Sequence, residues 1–60
     1  MNETERPYLT VREVCDWLDI SHQTIYRLIR EEGLPSRKLG HRRIFFRDEV
    51  AEWLRSRPQE

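Results

Sequence analysis

Residues 10–30, TVREVCDWLDISHQTIYRLIR, hold two amphipathic segments joined by a short turn. Thr10 suits an N-cap, and Glu13 stands three residues later, which makes a T-x-x-E capping box. Val11, Val14, Cys15 and Leu18 follow at helical spacing and form one apolar stripe, with Trp17 at its flank. This first helix is expected to end near Asp19. Asp19, Ile20 and Ser21 make the turn. Asp tolerates a left-handed backbone better than most residues, Ile20 is expected to point inward, and Ser21 is a natural cap for the next helix.

The second helix is expected over His22 to Glu32, stopping at Gly33 with Pro35 just beyond. Ile25, Leu28 and Ile29 share its inner face. Gln23, Arg27 and Arg30 lie opposite, with His22 and Tyr26 on the shoulder. A helix of this length spans ~16 Å, about what a DNA major groove accepts along a few base pairs. Two short helices, a tight turn and hydrogen-bonding side chains on the outer face of the second make the layout of a helix-turn-helix.

Working outward, residues 36–47 contain five Lys or Arg and no Asp or Glu. SRKL and RRIFF read as two strands with Gly40-His41 as their turn. Ile44, Phe45 and Phe46 are too apolar for a free loop, although alternation alone does not say which of them face inward. A last helix follows from Arg47 to Arg57, with Asp48 and Glu49 in its first turn and Arg55 and Arg57 in its last, as the helix dipole prefers. Val50, Trp53 and Leu54 form its apolar face, and Pro58 ends it. Tyr8 and Leu9 are expected to lead into the first helix as an apolar staple. The fold class is therefore mainly α: three helices, with a two-stranded hairpin wing between the second and third. The expected layout is a flexible tail over 1–7, one domain over 8–57 and a short tail over 58–60.

Composition narrows the function. The chain has 60 residues, 11 basic and 11 acidic, so its net charge is zero. Charge placement matters more than the total. Acids gather in the first and last helices and cations between them, which predicts a molecule with one basic edge. A single cysteine excludes an intrachain disulfide and a cysteine-based zinc site. No cofactor and no metal are expected. There is no apolar signal segment and no run of the ~20 apolar residues a membrane span needs, so no membrane partner is expected and the default location is the cytoplasm. No nucleophile–base pair, phosphate loop or metal set is present, which argues against an enzyme.

The candidate reading surface is Ser21, His22, Gln23, Thr24, Tyr26, Arg27 and Arg30. Gln pairs with adenine and Arg with guanine through paired hydrogen bonds, and Gln23 and Arg27 sit one turn apart. His22, Thr24, Tyr26 and Arg30 are better placed for phosphates or flanking bases. The candidate wing surface is Arg37, Lys38, His41, Arg42 and Arg43, suited to a narrow minor groove or its phosphates. The plainer readings are a solvated helix face and a charged strand edge that resists aggregation. Cys15 reads as a small core residue. Trp17 and Trp53 read as core cover, or, with the basic edge, as a surface for an acidic protein partner.

These residues together resemble the excisionase-type DNA-binding domains of the MerR-like winged-helix group. The resemblance spans residues 8–55: L-T-V-x-E at 9–13, I-S-x-x-T-I-Y-R-L-I at 20–29, E-G-L-P at 32–35, G-H-R-R at 40–43 and D-E-V-x-x-W-L at 48–54. Val14-Cys15 departs from the group's usual pair of alanines, and Asp19 from its usual glycine. The resemblance implies a bacterial or phage-encoded protein that binds double-stranded DNA and bends it, assisting a tyrosine- or serine-type integrase in excision. A small transcriptional regulator of the same fold is the alternative. The lack of a coiled coil or effector domain after the third helix favours the small stand-alone forms. A module this small is expected to be a monomer in solution that binds cooperatively, side by side, on neighbouring DNA sites.

Overall fold

Thr10 closes one structural element and opens the next. The computed structural model describes residues 7–57, so the expected tail over 1–7, apart from Pro7, and the expected tail over 58–60 lie outside the described residues. Leu9–Thr10 forms strand β1, followed by helices α1 (Val11–Leu18) and α2 (His22–Glu32), strands β2 (Arg37–Leu39) and β3 (Arg42–Phe45), and helix α3 (Arg47–Ser56). The architecture is a winged helix-turn-helix: three helices, with an antiparallel hairpin between the second and third.

The caps follow the sequence pattern. The Glu13 amide donates to Thr10 Oγ1 at 3.2 Å, and the Thr10 amide donates to Glu13 Oε1 at 2.9 Å, which completes the capping box. Asp19 ends α1 in the left-handed region, with φ 59° and ψ 50°. It is the one non-glycine residue with positive φ among the described residues. The Asp19 and Ile20 amides both donate to the carbonyl of Cys15, which satisfies an orphan acceptor of the last turn. Ser21 Oγ then accepts from the Thr24 amide at 3.1 Å and starts α2. Gly33 ends α2 with φ 77°, and its amide and that of Leu34 both donate to the Leu28 carbonyl. A Cβ at Gly33 would meet nothing within 4 Å, so the backbone, not crowding, requires glycine there.

The hairpin turns on Gly40-His41, because Leu39 stands opposite Arg42. Gly40 has φ 63° while His41 does not go positive, the pattern of a Gly-X type II′ turn. Strand order is β1-β3-β2, with both pairings antiparallel. The sheet therefore has one strand more than the expected hairpin. Leu9, read as part of a staple, instead pairs with Phe45, and Thr10 pairs with Ile44. A two-residue strand is too short for alternation to reveal it, and its partner lies far along the chain.

The core comprises Val14, Cys15, Ile25, Leu34, Phe45 and Val50, with Leu9, Val11, Leu18, Ile20, Leu28, Ile29, Trp53 and Leu54 packed around it. Complete burial of such side chains contributes about 1.5–3 kcal/mol each. Phe45 faces this cluster. Ile44 is buried as well but, as its neighbour along a strand, points to the other side of the sheet. Phe46 caps α3 without a side-chain bond, and Asp48 compensates by accepting the Glu49 amide at 3.0 Å. The helix stops at Ser56, one residue earlier than expected. Arg57 is extended, with φ −76° and ψ 148°, because the proline after it disfavours helical backbone.

Candidate nucleic-acid interface

Helix α2 holds its candidate residues outward because Ile25, Leu28 and Ile29 anchor the opposite face. Ser21, His22, Gln23, Tyr26, Arg27 and Arg30 are exposed, and Thr24 is half-buried. Gln23, Thr24 and Arg27 line one shallow surface recess of about 210 Å³. Thr24 is fixed there: its hydroxyl accepts from Ser21 Oγ at 3.0 Å, and its amide is the one capped by the same oxygen. Arg27 makes no ion pair among the described residues, whereas Arg30 reaches Glu31 at 3.6 Å. A capped helix N-terminus also leaves positive dipole charge at this end, which favours a phosphate nearby.

His22 sits at the first turn with its Nδ1 4.0 Å from Cys15 Sγ. Cys15 is only 6% exposed. Burial pushes its thiol pKa up, and the Asp16 charge adds to the effect. Both effects favour the neutral thiol, in keeping with a packing role.

The wing separates its cations into two groups. Lys38, His41 and Arg42 are exposed and make no ion pair among the described residues. Lys38 stands directly opposite Arg43 in the ladder, with no acid between them. Like charges in that position repel, so the free strand pair tolerates a cost that a polyanion would remove. Arg43 is half-buried and donates to Ser36 Oγ at 2.7 Å. Leu39 lies beside the turn and is 59% exposed.

Arg37 is drawn elsewhere. Its guanidinium donates two hydrogen bonds to the Glu49 carboxylate, at 3.0 and 2.7 Å, and lies 5.6 Å over the ring of Phe46. The structure thus does not group it with the free cations of the wing tip. Glu49 is the partner that sequence reading missed. The pair spans two elements, and no local spacing signals it.

Both tryptophans are covered by arginines. Arg47 lies 5.1 Å over Trp17, and Arg57 lies 4.5 Å over Trp53. Trp53 also donates from Nε1 to the Glu32 carbonyl at 3.0 Å. An open groove of about 590 Å³ runs beside it, lined by Gly33, Pro35, Asp48, Glu49, Glu52, Trp53 and Arg55. No described helix is long and apolar enough to cross a membrane.

A family model described as a helix-turn-helix domain matches residues 8–58. No curated protein and no solved structure matches the chain. The match takes in every described element, and the helix pair, its turn and its wing are those of a DNA-binding module. The chain belongs to the helix-turn-helix domain family.

Proposed function

We propose that this protein is a sequence-specific double-stranded DNA-binding factor of the excisionase type. Helix α2 enters the major groove, where Gln23 and Arg27 read base edges. Ser21, His22, Thr24, Tyr26 and Arg30 set its register on phosphates or flanking bases. The wing tip, with Lys38, His41 and Arg42, and Arg43 behind it, lies along the adjacent minor groove. The observation that carries this reading is Arg27, which makes no ion pair among the described residues, beside Gln23 on a capped helix, with the wing-tip cations Lys38, His41 and Arg42 likewise making none there.

The excisionase role rests on the sequence resemblance. It makes the protein an architectural factor. Monomers fill neighbouring sites side by side, bend the duplex and help a tyrosine- or serine-type integrase to excise. The engagement of both indoles by arginines weighs against a module that binds an acidic protein.

Footprinting on the DNA flanking the encoding gene, at two salt concentrations, tests the DNA grip. Regularly spaced protected blocks that weaken steeply with salt are expected. Absence of duplex binding at low salt overturns the reading. Addition to a reaction containing a neighbouring integrase tests the excisionase role, and stimulated excision supports it. Unchanged recombination with altered transcription from the bound site makes the protein a small regulator instead.

A further inference from the structure

We infer that Arg37 and Glu49 form a latch that sets the pose of the wing, so that an acid on α3 strengthens DNA binding and Arg37 itself contacts no phosphate. The inference rests on the reading that the wing meets duplex DNA.

The geometry carries it. Strand β2 is an outer strand of the sheet, paired only with β3. Strand β3 is anchored by β1 and by the buried Phe45, but the outer strand β2 has β3 as its one ladder partner, so its pose depends on side-chain contacts beyond the sheet. Lys38 and Leu39 are exposed and make no side-chain hydrogen bond among the described residues, so they supply none. Arg43 bonds to Ser36, at the approach to the hairpin, not to a helix. The link from β2 to a helix is Arg37 to Glu49, and it is bidentate.

Paired parallel hydrogen bonds fix orientation as well as distance, which a single lysine contact does not. The guanidinium also stacks over Phe46, the residue that joins β3 to α3. The latch therefore spans the corner where β3 passes into α3. Arg37 is about half exposed and Glu49 one-third exposed, so the pair persists through its geometry rather than through burial. Holding Arg37 here leaves the tip to Lys38, His41 and Arg42, and keeps Glu49 neutralised where it would otherwise repel a phosphate.

Titrating the full chain with its footprinted duplex over a range of salt, alongside amide exchange by NMR, separates the possibilities. Glu49→Gln is expected to weaken binding about two- to fivefold, a loss of the size that a well-ordered exposed pair supports. That outcome runs against the ordinary gain from removing a negative charge. Glu52→Gln, a nearby acid outside the latch, supplies the baseline for such a gain. Arg37→Ala is expected to weaken binding with an unchanged salt slope, and Arg37→Glu combined with Glu49→Arg to restore much of the affinity. Exchange at β2 amides should quicken in both single variants.

Tighter binding by Glu49→Gln than by Glu52→Gln, with a slope about one lower for Arg37→Ala, makes Arg37 a phosphate contact and overturns the latch. Unchanged β2 exchange in Glu49→Gln overturns it as well. If the parent chain binds no duplex, the proposed function fails, and the exchange data still decide whether the latch holds the wing.

Discussion

Trp53 donates its indole N–H to the main-chain carbonyl of Glu32, at 3.0 Å, and so fastens α3 to the last turn of α2. Arg57 reinforces the clamp by covering the indole at 4.5 Å and reaching Glu32 Oε1 at 3.4 Å. Carbonyls in the last turn of a helix have no partner within it, so the indole supplies one. Trp53→Phe keeps an apolar ring and removes the bond. It is expected to lower stability by about 1 kcal/mol in urea unfolding, with the secondary structure retained.

Asp19 occupies a backbone region that favours glycine. Asp19→Gly is expected to hold or raise the melting temperature, since it relieves local strain and adds unfolded-state entropy of comparable size. Asp19→Ala lacks both relief and local polar compensation, and is expected to cost about 1 kcal/mol. A thermal scan of the two variants beside the parent checks the ordering.

Arg27 and Lys38 are expected to fail differently. Arg27→Ala should cost about 1–3 kcal/mol on the preferred site and flatten the ranking of altered sites. Lys38→Ala should weaken all duplexes alike and lower the salt slope by about one. Competition titrations with specific and scrambled duplexes measure both.

Cys15 gives stability a dependence on alkaline pH. Its thiol pKa is raised in the folded chain by burial and by Asp16. The folded state then holds the proton more tightly than the unfolded state does. The contribution is full below the ordinary thiol range and is lost as pH climbs through the raised value. Urea midpoints measured from pH 7 upward should fall more steeply for the parent than for Cys15→Ala.

Much of this was legible from local pattern. Ser21 and Gly33 mark the two ends of α2 because a cap oxygen and a left-handed glycine act within one turn of their position. Gly40-His41 marks the hairpin for a similar reason. The outward face of α2 follows from the spacing of Ile25, Leu28 and Ile29. What escaped is what depends on distant partners. Leu9 is a strand residue only because Phe45 lies beside it. Ile44 and Phe45 are both buried although they are neighbours on one strand, which no alternation announces. Arg37 looks like any other wing cation until Glu49 is brought against it.

The pairing of Leu9 with Phe45 also sets how far along the chain the fold must reach. Most of the remaining ladder and cap bonds join residues close in sequence. The seam between β1 and β3 instead closes a loop that holds α1, α2 and β2, and non-local pairing of that kind costs the most chain entropy to form. The wing's central strand is thus also the tie that holds the start of the domain to its second half.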